Sequence, residues 1–212
     1  MKTIPSWITH LTLFTFLTSS VVLAEPVVEV DGVVAIEVEE TASPLGNWEK
    51  RTEIEGYSGT GYLEFTGNTP ISGPADSPLA YQFTIERGGL YWFHLHCARE
   101  RVEDRDDLAN DAYIRLEGDF ESGPNPGDEH EMDAPLAMLK EDTKFFGGKD
   151  RAFVWASGNR LDPGGHNNKR VAIYRLKAGE TYTLTLSGRS QLFKADRILF
   201  RHEEVTAEEA ED

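Results

Sequence analysis

Thr181-Tyr182-Thr183-Leu184-Thr185-Leu186-Ser187 alternates apolar and hydroxyl side chains without a break. Successive side chains of an extended strand point to opposite faces. Tyr182, Leu184 and Leu186 therefore share a face that enters a core, while Thr181, Thr183 and Thr185 stay in water. Ala178-Gly179 supplies the turn before the strand. The same period of two recurs upstream, where Val34, Ile36 and Val38 alternate with Ala35, Glu37 and Glu39. Tyr81, Phe83 and Ile85 alternate with polar residues up to Gly88-Gly89, and residues 90–97 follow at once. That pair reads as a hairpin. Further strand candidates are residues 112–116, 153–156, 171–176 and 197–200, and little of the chain sustains a helical repeat. Seven or more short strands separated by turns predict an all-β jelly-roll β-sandwich.

The start of the chain reads as a leader. Lys2 precedes a largely apolar stretch from Ile8 to Leu23, which ends at the small residue Ala24 before Glu25-Pro26. This layout predicts a signal peptide over residues 1–24 and an exported product. A membrane span is the competing reading, but Thr9, His10, Thr12, Thr15 and Thr18-Ser19-Ser20 dilute the stretch. Residues 25–202 then suit one domain with a sizeable core. Residues 203–212 are acidic and lack aromatic side chains, so they read as a disordered tail. The chain carries 21 basic and 37 acidic residues, a net charge of −16. Such a surface repels nucleic acid and anionic membrane and argues against both as partners. Cys97 is the only cysteine, so no intramolecular disulfide forms. Its parity with Tyr91, Phe93 and Leu95 makes it a buried, inert thiol.

The candidate chemistry lies at strand ends and in long polar connections, where binding residues concentrate. Glu37 and Glu39, two apart on a strand, put both carboxylates on one face. Asp196 opens the final strand, and first and last strands of a jelly roll often lie side by side. The three acids are thus candidates to converge on one hard cation, the alternative being a solvent-facing pair. Trp155 and Trp48, then Tyr57 and Tyr62, are candidate platforms for the apolar faces of sugar rings, or else core fillers. Arg99, Asn110, Asp111, His166, Asn167 and Arg189 offer donors and acceptors for hydroxyl groups. The competing role is structural, with Asp111 paired to Arg189 to staple a loop. His94 and His96 form an H-x-H pair in parity with Trp92, which favours packing over metal binding. Neither G-x-S-x-G nor H-E-x-x-H occurs, so no catalytic motif is present.

Ile36-Glu37-Val38-Glu39, Gly56-Tyr57-Ser58-Gly59-Thr60-Gly61-Tyr62-Leu63 and Lys194-Ala195-Asp196-Arg197-Ile198 resemble carbohydrate-binding modules of families six and thirty-five, with a galactose-binding-like fold. The likeness implies a structural calcium held by Glu37, Glu39 and Asp196. A closer likeness is to exported bacterial domains linked to polysaccharide degradation. Their pattern falls here on Asn110-Asp111, Trp155, His166 and Arg189-Ser190. Residues 118–135 are longer than that pattern expects. The resemblance implies a non-catalytic protein that binds a polysaccharide or oligosaccharide, with sugar stacked on Trp155. The alternatives are a small polysaccharide lyase or hydrolase using Arg189 and His166 with a loop carboxylate, and an adhesive surface protein without a sugar site.

Overall fold

The computed structural model describes residues 25–122, 140–156, 159–161 and 170–212; the leader read at 1–24 lies outside them. In chain order the strands are β1 (Val27–Val28), β2 (Val33–Glu37), β3 (Trp48–Arg51), β4 (Tyr62–Phe65), β5 (Asp76–Thr84), β6 (Gly89–Ala98), β7 (Asp111–Glu117) and β8 (Glu121–Ser122). They continue as β9 (Thr143–Phe146), β10 (Val154–Ala156), β11 (Asn159–Leu161), β12 (Arg170–Val171), β13 (Ile173–Leu176), β14 (Thr181–Gly188) and β15 (Lys194–His202), followed by a short helix α1 (Ala207–Glu211). One turn of 3-10 helix, Val38–Glu40, follows β2. One sheet runs β1-β5-β14-β7-β9-β11-β12; the other runs β3-β4-β15-β6-β13-β8, with β2 added to β15 and β10 to β6.

The alternation of β14 sets the layering. Tyr182, Leu184 and Leu186 are buried, and so is Thr185, which was expected in water, because β14 is paired on both sides, by β5 and by β7. In the facing sheet, β15 and β6 form the centre. Phe200 on β15 lies 4.6 Å from Phe83 of the other sheet and 5.4 Å from Phe93 on β6, which makes it the ring where the layers interlock. The result is an all-β jelly-roll β-sandwich. Cys97 is buried in the same core, as its parity requires.

Three further expectations need correction. Residues 81–85 and 90–97 are not a hairpin, because β5 and β6 belong to different sheets. Both segments bury one face, but from opposite sides of a shared core: Phe83 and Phe93 reach Phe200 from facing layers. Trp48 is no platform either. It is 2 % exposed, packs against Phe65 at 5.1 Å and donates its indole Nε1–H to the Ser77 carbonyl at 2.8 Å. Tyr62 is likewise core, at 1 % exposure.

The third correction concerns residues 203–212, which are ordered. Thr206 and Glu209 form a capping box that starts α1, and Ala210 is buried. A helix this short gains little from its own hydrogen bonds and depends on tertiary anchors. Arg201 supplies one, donating from Nη1 to the Val205 carbonyl at 2.8 Å while its guanidinium lies 4.8 Å from the Trp92 ring centre. His94 supplies the other. Its Nε2 lies 2.9 Å from Arg201 Nε, which can only donate, so Nε2 is an acceptor and Nδ1 carries the proton toward Glu211 Oε1 at 2.8 Å. The apolar count of the tail missed these polar anchors. No helix among the described residues is long and apolar enough to cross a membrane.

This arrangement needs His94 neutral. Burial, reinforced by the charge on Arg201, pushes His94 down to about 4 from 6.5. The unfolded chain therefore binds the proton first as pH falls. Stability from this group is present near neutrality and is lost between pH 6.5 and about 4, on the order of 3 kcal/mol in all. Burial raises Glu211, which opposes part of the loss in its own range. Urea unfolding from pH 7.5 to 4.5 should show the wild type losing stability relative to His94→Gln, which keeps an acceptor for Arg201 and does not titrate. Parallel curves would contradict the assignment.

Candidate functional site

β2 pairs with β15 so that Arg197 faces Glu37, which places the first and last long strands side by side. On its other edge β15 shifts register against β6 between Ala195 and Arg197. The extra residue is Asp196. A bulge of this kind re-aims side chains locally, and it leaves Ala195 and Ile198 in the core with Asp196 beside His96. Asp196 is nevertheless fully buried. Its carboxylate accepts from the Ser58 N–H at 3.0 Å and sits 2.6 Å from His96 Nδ1.

The loop around Ser58 brings the remaining acids together. Ser58 Oγ donates to Glu37 Oε2 at 2.6 Å, and the Thr60 N–H donates to Glu39 Oε1 at 2.7 Å. Between them Gly59 has φ +60, and a Cβ there would lie 2.4 Å from Glu39 Oε1. Only glycine permits so close an approach in that conformation. Burial raises the Glu37 carboxyl pKa, and the neighbouring Asp196 and Glu39 charges add to the effect, while the Ser58 hydrogen bond and Arg197 oppose it. Arg197 Nε stands 3.1 Å from Glu37 Oε1 without hydrogen-bond alignment, so the contact is ionic. Glu39 Oε2 is buried and has no partner. Glu37, Glu39 and Asp196 thus meet around one loop. They do not form a ready coordination sphere: among the described residues, no group of three His, Cys, Asp or Glu is placed to hold a metal ion. As a donor set they are hard oxygen ligands of the kind calcium takes, and the Glu39 Oε2 acceptor has no hydrogen-bond partner.

Trp155 lies on β10 directly opposite His96 of β6. Its half-buried ring rests on the imidazole, with centroids 4.7 Å apart and planes 31° apart. Phe153 flanks the same imidazole at 5.4 Å and meets Tyr62 edge-on at 5.0 Å; Tyr57 follows at 5.9 Å from Tyr62. Sequence reasoning assigned His96 to packing and passed over Phe153. The H-x-H spacing put His96 on the correct face, but only the register of β15 shows that Asp196 lies beside it.

The polar residues gather where β6 and β14 end and β7 begins. Asp111, 6 % exposed, is paired with Arg189 Nη1, and its carbonyl accepts from the Ser190 N–H at 3.1 Å. Arg189 also lies over the Tyr113 ring at 5.8 Å. The Asn110 carbonyl accepts from Gly147 at 2.9 Å. A Cβ on Gly147 would meet Ala156 at 2.5 Å and Cys97 Sγ at 2.9 Å, so this turn ties the polar group to the strands that carry Trp155. Arg99 bonds Asp106 at 2.9 Å and pairs through its backbone with the same turn. Four atoms here are buried without partners: Arg99 Nη1, Asn110 Oδ1, Arg189 Nε and Ser190 Oγ. The structure joins Asp111 to Arg189 and sets Asn110 and Ser190 beside them. Trp155 belongs to the opposite sheet, on β10, and takes His96 as its ring partner. His166 and Asn167 lie outside the described residues.

No family model and no curated protein matches the chain. Several solved structures are similar to it. A GH26-CBM35 beta-(1,4)-mannanase from Podospora anserina is 14 % identical at TM-score 0.49, matching 81 % of this chain and 28 % of its own. The chain spans about a quarter of the length of the first such structures. A CBM35 from Paenibacillus barcinonensis is 12 % identical at TM-score 0.45, over 80 % of this chain and 99 % of that one. A family 35 carbohydrate binding module from Clostridium thermocellum is 12 % identical at TM-score 0.45, over 80 % and 98 %. The sandwich described above rests on the chain's own strand pairing.

The Asp111–Arg189 pair is nearly dry, with side-chain exposures of 9 % and 17 %. Removing either partner strands a buried charge, at a cost of roughly 3 kcal/mol or more. Urea unfolding should show Asp111→Ala and Arg189→Ala each losing about that much, and the double variant losing clearly less than their sum. Strict additivity would show that the pair does not act as a unit.

Proposed function

We propose that this is an exported, non-catalytic protein that binds a polysaccharide or oligosaccharide at the loop end of the sandwich. The observation that carries the reading is the set of four buried, unpartnered polar atoms on Arg99, Asn110, Arg189 and Ser190. A folded chain normally satisfies its buried donors and acceptors, so such a cluster is matched to groups from outside. Two are guanidinium donors, one is an amide acceptor and one is a hydroxyl that does both, which suits the hydroxyl groups of a sugar. The Asp111–Arg189 pair holds the guanidinium in place, so the stapling role and the binding role belong to the same residues. Trp155 supplies an apolar ring face on the opposite sheet, resting on His96 near the end of β6 that leads to Arg99.

The proposal includes a calcium-class cation bound by Glu37, Glu39 and Asp196. It would neutralise three crowded carboxylates and satisfy the orphaned Glu39 Oε2. Its role is structural, fixing the loop around Ser58 and the ends of β2 and β15. Export is read from the apolar leader, and the net charge of −16 keeps the protein off anionic surfaces.

Affinity electrophoresis through gels containing glucomannan, xylan or polygalacturonate tests this reading. Retardation by at least one polysaccharide is expected, and Trp155→Ala should weaken it roughly tenfold or more. Chelation with EDTA should lower the unfolding temperature. Unchanged migration in every gel, or full retention by Trp155→Ala, would overturn the binding assignment.

A further inference from the structure

The contact between His96 and Asp196 lies outside the polar cluster yet ends on the Trp155 ring. We infer that His96 is the positioning residue of the sugar platform: Asp196 fixes its ring plane, and the fixed imidazole sets the plane of Trp155. The inference rests on the carbohydrate-binding reading above.

Three observations carry it. First, β10 is only three residues long and pairs β6 through Val154, Trp155 and Ala156, so backbone hydrogen bonds alone hold Trp155 loosely. Second, the only ring against which the indole lies closely among the described residues is His96, 4.7 Å away and 31° from parallel. A near-parallel aromatic neighbour fixes both the height and the tilt of the ring resting on it. Third, an imidazole can rotate about its terminal torsion unless it is anchored. Here Nδ1 sits 2.6 Å from a carboxylate that is fully buried and itself held by the Ser58 N–H. The bulge at Asp196 exists in just the register that puts this carboxylate beside His96.

The consequence is a chain of orientation from the acidic loop to the ligand surface. Ser58 holds Asp196, Asp196 holds His96, and His96 carries Trp155. Preorganising an aromatic face lowers the ordering cost of binding without adding a contact to the ligand. Phe153 also contacts the imidazole, with ring centroids 5.4 Å apart.

Two substitutions separate ring from anchor. His96→Asn keeps a donor near the Nδ1 position and removes the ring; His96→Phe keeps a ring and removes the bond to Asp196. The readout is the indole N–H resonance of Trp155 in a 15N-labelled protein, assigned by its loss in Trp155→Phe. The indole of Trp48, bonded to the Ser77 carbonyl in the core, serves as an internal control for folding. Both variants should displace or broaden the Trp155 line while leaving that of Trp48 in place. In whichever of the three gels retards the wild type, His96→Asn should weaken retardation roughly tenfold, with His96→Phe recovering part of it. An unmoved Trp155 line in His96→Asn, with the Trp48 line intact, would overturn the inference. If the wild type is retarded by no polysaccharide, the binding reading fails by itself. The Trp155 line then still decides whether His96 positions the ring.

Discussion

A carboxylate with no exposed surface, that of Asp196, organises one flank of this protein. Burying a carboxylate costs several kcal/mol unless hydrogen bonds replace the lost water. Asp196 obtains that replacement from the Ser58 backbone and from His96. Both partners must therefore be where they are. The Ser58 requirement folds residues 56–60 over the ends of β2 and β15, which draws Glu37 and Glu39 into the same space. The His96 requirement fixes the bulge in β15 and, through the imidazole, the support under Trp155. A structural cation would serve the same electrostatic need from the other side of the carboxylates.

The opposite sheet solves a related problem differently. Asp111 is also nearly buried, and it is neutralised by Arg189 in a direct pair. The pair leaves the Arg189 Nε–H unused, and Asn110, Ser190 and Arg99 each leave one polar atom unused nearby. The two flanks differ in kind: one holds mutually repelling acids under a loop, the other a closed ion pair surrounded by spare hydrogen-bonding capacity. Spare capacity is the property a binding surface needs, and the acid flank supplies rigidity beneath the aromatic ring.

The period-two alternation of residues 181–187 made the fold class legible, because a strand in a sandwich must turn one apolar face to the core; the hydroxyl face is only partly wet, since Thr185 and Ser187 are buried. The same signal misplaced β5 and β6. Alternation shows that a segment has an apolar face and says nothing about whether two such segments lie side by side or face to face. Trp48 was ambiguous because an indole donor in the core, satisfied here by the Ser77 carbonyl, has the same sequence appearance as an exposed ring. The tail was misread because its anchors lie outside it: His94 on β6 is far from it in the chain, and Arg201 belongs to the strand that precedes it. At the candidate site, the meeting of Glu37, Glu39 and Asp196 was foreseeable from jelly-roll topology. The pairing of Asp111 with Arg189 was foreseen as a staple. The role of His96 depended on a one-residue register shift, which no pattern of residue types records.

The proposed carbohydrate contact lies at the loop end of the sandwich, with Trp155 at its edge. Hydrogen–deuterium exchange measured with and without the polysaccharide that retards the protein most tests it directly. Added protection is expected at residues 99–111, 147–156 and 188–193, with the β1–β5 edge unchanged. Protection confined to that edge, or absent from all three loop-end segments while the polysaccharide is bound, would contradict it.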